Sequence, residues 1–149
     1  MHIPGTIDSL LNHKQPAIWS VPPEATVFDA IQLMSDKNIG ALPVMNGQQL
    51  VGMFSERDYT RKVFLKGKSS KSTPVKEVIS TPVISVEPGD TVEECMRLMT
   101  EHRVRHLPVL KEGKLVGLVS IGDLVNWIIS AQNLALTQME DYITGKYPG

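Results

Sequence analysis

Apolar residues in this chain recur at two different spacings that alternate along it. Val27, Ala30, Ile31 and Met34 follow one another at helical steps, and Val92, Cys95, Met96 and Met99 do the same further on. One apolar stripe per 3.6-residue turn predicts an amphipathic helix in each place. Each stripe is preceded by a threonine with an acid three residues on, Thr26 with Asp29 and Thr91 with Glu94, the sequence sign of a capped helix start. Ile18 to Val21 is short, β-branched and aromatic, and predicts a strand. Ala41 to Met45 and Leu50 to Phe54 flank Asn46-Gly47, while Leu107 to Leu110 and Leu115 to Val119 flank a loop containing Gly113, so two antiparallel strands should follow each helix. A further helix opens at Ser55, to end near Gly67, and another at Ser120. The order is strand, helix, strand, strand, helix, twice over, a mixed α/β (α+β) fold.

The repetition is exact in register. A shift of 65 residues aligns Ser20-Val21 with Ser85-Val86, Pro23 with Pro88, Thr26-Val27 with Thr91-Val92, and Leu33-Met34 with Leu98-Met99. It also aligns Leu42-Pro43-Val44 with Leu107-Pro108-Val109, Leu50-Val51-Gly52 with Leu115-Val116-Gly117, Ser55 with Ser120, and Asp58 with Asp123. That is 15 identities in 41 gapless pairs from Trp19/Ile84 to Tyr59/Leu124. The chain is a tandem duplication. Two repeats are too few for a solenoid, so a pair packed about a pseudo-twofold axis is expected, with any site on one half echoed on the other.

Outside the matched core, Ile7, Leu10 and Leu11 share their spacing with Val75, Val78 and Ile79, which predicts a short lead-in helix before each repeat. Lys66 to Pro74 is polar and carries glycine and proline, the composition of a linker. From Leu124 the apolar residues continue through Ile128, Leu134, Leu136, Met139 and Tyr142, predicting a helical tail whose surface packs on the module or helps to form a dimer. The expected division is residues 1–67 for the first repeat with its lead-in, 68–74 for the linker, 75–130 for the second repeat and 131–149 for the tail.

Composition narrows the function. At 149 residues, 42% hydrophobic and 21% charged, the chain can bury a core without disulfides and is not a disordered sequence. Fifteen basic against sixteen acidic residues argue against non-specific nucleic-acid binding. A single cysteine, Cys95, excludes a disulfide framework and a Cys-rich zinc site, and suits a reducing compartment: the cytoplasm, or an organelle matrix if a leader has been removed. No apolar run reaches the roughly 20 residues of a membrane span.

The motif with chemistry in it is Leu-Val-Gly-x-x-Ser-x-x-Asp, at Leu50 to Asp58 and again at Leu115 to Asp123. One reading is structural: the serine caps a helix, and the aspartate answers it in a capping box. The other is a site. Backbone amides at a helix start with a serine hydroxyl can hold a phosphate, and an acceptor-only carboxylate can take both hydrogens of a vicinal diol. Ribose and phosphate together describe a nucleotide, whose purine Ile18 or Val83 could cover.

These residues resemble a tandem pair of cystathionine β-synthase (CBS) domains, a Bateman module, over roughly Ile7 to Ile129. The hydrophobic-Pro-Val strand, the Leu-Val-Gly strand and the Ser-x-x-Asp ending occur in both halves in the family's order. The resemblance implies adenosine ligands, AMP, ADP, ATP, NAD(H) or S-adenosylmethionine, in clefts between the repeats. It gives Asp58 and Asp123 the ribose position and sets Ser55 and Ser120 near phosphate. Ile18 and Trp19 would face the Asp123 cleft, and Val83 and Ile84 the Asp58 cleft. The two residues before each hydrophobic-Pro-Val strand would approach phosphates: Arg105 and His106 in the second repeat, Gly40 and Ala41, which carry no charge, in the first. Flat homodimers are implied as well. Arg57, inside Ser-x-x-Asp where the second repeat has Gly122, could reach a phosphate. Glu56-Arg-Asp-Tyr59 and the Gly67-Lys-Ser-Ser-Lys71 stretch resemble small stand-alone CBS-pair proteins, for which AMP or NAD(H) is a better match than S-adenosylmethionine.

Other signals fail. Gly67-Lys68-Ser69 lacks the earlier glycine of a P-loop, where Lys62 stands, and no G-x-G-x-x-G occurs. His102 and His106 have a zinc-like spacing without the glutamate between them, so no metal is expected. Nothing supplies a poised nucleophile or base. The expectation is a non-catalytic regulatory module that signals adenosine-nucleotide occupancy to a separate, unknown partner protein. The alternative is a structural or interaction protein with vestigial clefts.

Overall fold

The computed structural model describes residues 3–14 and 17–143, apart from the side chain of residue 142. Among them, α1 (Ile7–His13) is followed by α2 (Val27–Lys37), the hairpin β1 (Ala41–Asn46) and β2 (Gln49–Ser55), and α3 (Glu56–Asp58), which runs on as a π-helical segment, Tyr59–Phe64. After a 3-10 turn at Val75–Glu77 come α4 (Val92–His102), the hairpin β3 (His106–Lys111) and β4 (Lys114–Ser120), and α5 (Ile121–Ile143). Two separate two-stranded sheets result.

The duplication is visible residue by residue. Thr26 and Thr91 cap α2 and α4 by accepting the amides of Asp29 and Glu94. Both helices end on a non-glycine residue in the left-handed region, Asn38 at φ 54° and Arg103 at φ 55°, the same position in each repeat. The β1–β2 register pairs Ala41 with Ser55, Leu42 with Phe54 and Val44 with Gly52, then slips by one residue at Val44/Met45. In the second hairpin, Glu112 and Gly113 both take positive φ, as a two-residue turn of the primed type requires.

The chain divides into two compact units. The first comprises residues 17–85 and 108–117. Its core joins Val21, Val27, Ala30 and Met34 to Leu42, Val44, Phe54, Val63, Val75 and Val78. The second comprises residues 1–16, 86–107 and 118–149. There α4 touches both α1 and α5, and Ile7, Leu10, Val92, Cys95, Met99, Leu107, Val119 and Leu124 are buried. The amides of Ile7 and Asp8 donate to the carbonyls of Asp90 and Pro88, which fixes the start of α1 beside the start of α4.

Three expected elements differ. Ile18 to Val21 does not form a strand; Val21 alone bridges Val44 in parallel, accepting from the amide of Met45. The lead-in at Val75 is one 3-10 turn, because Pro74 supplies no amide and Val78 and Ile79 leave helical geometry to reach β2. The helix after Ser55 is α-helical for only one turn before it widens, with Leu65 donating to Thr60 and Lys68 to Val63 across five residues. The tail is helical as expected through Ile143; residues 144–149 lie outside the described residues.

Candidate functional site

Each hairpin delivers its chain directly into a helix start, and the turn that joins them is the duplicated motif. In the first repeat, Ser55 leaves β2 with extended backbone, its Oγ accepts the Asp58 amide at 3.2 Å, and Asp58 Oδ2 accepts the Ser55 amide at 2.9 Å and its hydroxyl at 3.0 Å. In the second, Ser120 Oγ accepts the Asp123 amide at 3.1 Å and Asp123 Oδ2 accepts the Ser120 amide at 2.8 Å. Both are capping boxes. The residue before each hairpin is bonded to the same turn: Glu56 donates to the carbonyl of Gly40, and Ile121 to the carbonyl of Arg105. Gly40 and Ala41 thus lie beside Ser55 and Asp58, with Ala41 paired to Ser55 in the sheet. Arg105 and His106 adjoin Ser120 and Asp123.

Beyond the cap, the two acids live in different surroundings. Asp58 is engaged through both oxygens. Oδ1 accepts from Ser80 Oγ at 2.8 Å and pairs with Lys62 Nζ at 3.1 Å, and its side chain is only 8% exposed. Ser80 is held there by a bridge to Met53, and Lys62 also donates to the carbonyl of Ile79. Gly52 makes the approach feasible, since a Cβ there would lie 2.6 Å from Ile79 Cδ1. Asp123 is engaged through Oδ2 only, among the described residues. Lys14, at the end of α1, pairs with that oxygen at 2.5 Å and donates to the carbonyl of Leu118 at 2.8 Å. The Asp123 side chain is 21% exposed, against 8% for Asp58.

At the Asp123 turn, Lys14 pairs with the carboxylate, and His106 lies within the influence of Asp123, Lys14 and Arg105. Burial holds His106 below its ordinary 6.5; the charge of Asp123 pulls it upward, and Lys14 and Arg105 push it further down. It is neutral at pH 7 and can donate or accept. In the same unit, burial, aided by Asp90, pushes the Cys95 thiol up to about 12. A thiol so far from ionisation is no nucleophile.

The remaining expected residues are placed as follows. Val83 and Ile84 are half-buried and follow shortly after Ser80, in the unit that holds Asp58. Ile18 and Trp19 belong to that unit as well, whereas Asp123 belongs to the other. The Trp19 ring carries the Lys37 ammonium 4.1 Å from its centre. Arg57 is exposed at the start of α3. A cavity of about 380 Å³ lies between the end of α2, at Asn38 and Ile39, and Gly40 and Glu56. Sequence reasoning missed Lys14, Lys62 and Ser80. Lys62 stands four residues after Asp58 on a predicted helix and was readable as an ion pair; nothing in the sequence marks the other two.

Among the described residues there is no cluster of three metal-ligating side chains, and no helix is long and apolar enough to cross a membrane.

Comparison with known proteins identifies the family and the fold. The family model described as the CBS domain matches residues 13–64 and 75–130. A solved CBS-domain protein from Burkholderia ambifaria is 50% identical and superposes with a TM-score of 0.82, covering 86% of this chain and 96% of that one. The mitochondrial CBS domain-containing protein CBSX3 of Arabidopsis thaliana is 42% identical over 127 residues; the match takes in 82% of this chain and 62% of that protein's length. The structure of CBSX2 in complex with AMP is 25% identical with a TM-score of 0.73, covering 87% of this chain and 99% of that one.

Proposed function

This chain belongs to the CBS-domain family and carries the domain twice, and from that premise we propose that it is a non-catalytic regulatory module that binds an adenosine nucleotide and reports its occupancy to a partner protein. AMP, ADP, ATP and NAD(H) are the candidate ligands. In this reading residues 1–67 and 75–130 are the two repeats, joined by 68–74, with 131–149 as a tail. The cytoplasm or an organelle matrix suits its single thiol.

The observation that carries the reading is the turn at Asp123. A carboxylate with one oxygen unengaged among the described residues, a capping serine, the amides of a helix start and three basic or neutral-donor side chains, Lys14, Arg105 and His106, offer what a ribose and its phosphate need. Asp123 grips the sugar hydroxyls, Ser120 and the basic side chains receive phosphate, and Lys14 swings from the carboxylate toward the anion. The AMP carried by the related CBSX2 supports the same ligand class.

A second reading rests on Asp58. Both its oxygens are satisfied within the chain, which favours a structural role for that half and a vestigial site there.

A thermal-shift series with AMP, ADP, ATP, NAD⁺, NADH and S-adenosylmethionine tests both. Ligand at about 100 times its Kd adds roughly 2.7 kcal/mol of stability. The expected outcome is a shift with AMP or NAD(H) that Asp123→Asn removes and Asp58→Asn leaves in place. A flat response to every adenosine compound would overturn the nucleotide reading; loss through Asp58→Asn alone would move the site.

A further inference from the structure

A carboxylate offers about four acceptor positions, two on each oxygen. At Asp123 both positions on Oδ2 are filled, one by the Ser120 amide at 2.8 Å and one by the Lys14 ammonium at 2.5 Å. Oδ1 has no hydrogen-bond partner among the described residues. The amide bond belongs to the cap and holds the start of α5. The lysine bond is the one that can be given up. Lys14 directly follows α1, its own amide is fixed on the carbonyls of Leu10 and Leu11, and its side chain is 35% exposed. Its flexible stem can therefore turn while the helix stays docked.

On the premise that Asp123 grips a ribose, we propose that Lys14 is a lock on that acid which only an anionic ligand opens, so that the site takes nucleotides and refuses nucleosides. A vicinal diol bonds a carboxylate through both oxygens. One hydroxyl can go to Oδ1 as it stands; the other needs the Oδ2 position that Lys14 fills. A neutral nucleoside has to break the ion pair, and with it the bond from Lys14 to the carbonyl of Leu118, and it offers the displaced ammonium nothing but water. A nucleotide brings the replacement with it. The ammonium passes from one anion to another, and a charge-assisted bond is exchanged rather than lost.

The duplicate acid lacks this arrangement. Lys62 also pairs with its acid, at 3.1 Å on Asp58 Oδ1, but the Ser80 hydroxyl bonds the same oxygen at 2.8 Å, and Lys62 donates to the carbonyl of Ile79 as well. Without Lys62 that oxygen would still be covered. Without Lys14 a position on Asp123 Oδ2 falls vacant.

Isothermal titration of the full chain with adenosine, AMP and NAD⁺ reads the lock by the sign of its effects. The wild-type chain is expected to bind the tighter of the two anionic ligands roughly 100-fold more tightly than adenosine. Lys14→Met should weaken that ligand about tenfold, through the lost charged hydrogen bond, and tighten adenosine about three- to fivefold, because no ion pair has to be broken. Lys14→Arg should keep the wild-type ratio, and Lys62→Met should leave adenosine binding unchanged. Adenosine binding that becomes detectable only in Lys14→Met would also support the lock. A lysine that only receives phosphate would weaken the anionic ligand and leave adenosine unchanged; one that only anchors α1 would weaken both. Either result, or adenosine undetectable in both chains, overturns the lock while the nucleotide reading stands. No binding of any of the three ligands to the wild-type chain overturns that reading and the lock together. Lys14→Gln repeats the measurement if circular dichroism shows the methionine variant misfolded.

Discussion

Lys14 and Asp123 are 109 positions apart in the chain, yet the ammonium of one rests on the carboxylate of the other. Asp58, the duplicate of Asp123, takes its lysine from the next helical turn instead, at Lys62. The same acid in the same cap has thus been given a local partner in one repeat and a distant one in the other. Among the described residues, only the distant pairing leaves one carboxylate oxygen without a hydrogen-bond partner.

Stability should register this difference. Asp58 accepts two hydrogen bonds from Ser55 and one from Ser80 and pairs with Lys62, so Asp58→Ala is expected to cost about 2–3 kcal/mol, through the lost cap and the orphaned donors. Asp123→Ala should cost about 1 kcal/mol, and a Lys14→Met/Asp123→Asn double-mutant cycle should return a coupling of roughly 1 kcal/mol. Urea unfolding of the unliganded chain measures both. Equal losses at the two acids would mean that the contacts of Ser80 and Lys62 contribute nothing.

His106 gives the fold a pH dependence whose sign follows from its surroundings. Burial, opposed by Asp123 and reinforced by Lys14 and Arg105, keeps it neutral in the folded chain below its ordinary 6.5. As pH falls through 6.5 the unfolded chain takes up a proton that the folded chain refuses, so the contribution is complete above that pH and lost beneath it. Between pH 7.5 and 5.5 the unfolding midpoint should fall more steeply for the wild-type chain than for His106→Gln. Identical slopes would show that this ring titrates as if unburied.

Gly5 tests the docking of α1. It has φ +107°, and a Cβ there would stand 2.5 Å from the Trp127 ring, whose Nε1 donates to the carbonyl of Pro4 at 2.7 Å. Gly47, at φ +63°, has nothing within 4 Å. Gly47→Ala should therefore lose only the backbone strain, about 1 kcal/mol. Gly5→Ala should lose about 1–3 kcal/mol more by displacing the indole. Thermal unfolding, with tryptophan emission as the probe, separates the two; equal losses would mean the indole gives way freely.

The helices, the two hairpins and the Ser-x-x-Asp turns were legible in the sequence because local chemistry decides them: Thr26 and Thr91 cap, Gly47 and Gly113 turn, and the apolar stripes face inward. Ile18 to Val21 misled because β-branched residues favour extended backbone without guaranteeing a neighbour to bond with, and only Val21 meets Val44. The π-helical widening at Tyr59 has no local marker; it follows from packing Val63 into the core while Lys62 reaches Asp58. Within the site, the capping serines and acids follow from the repeat, whereas Gly40, Ala41, Arg105 and His106 beside them follow from the family resemblance. Ser80 and Lys14 follow from neither, since each arrives by a long excursion of the chain that no periodicity records.

Neither compact unit is a continuous stretch of chain. The unit of residues 17–85 has to wait for residues 108–117 to emerge from the ribosome before its packing is complete. Helix α1 docks late: its amides await Pro88 and Asp90, and its terminal lysine awaits Leu118 and Asp123. During synthesis Ile7, Leu10 and Leu11 remain uncovered until the residues from Val86 onward that complete their unit have been made, and in that interval their apolar surface is open to unwanted contacts.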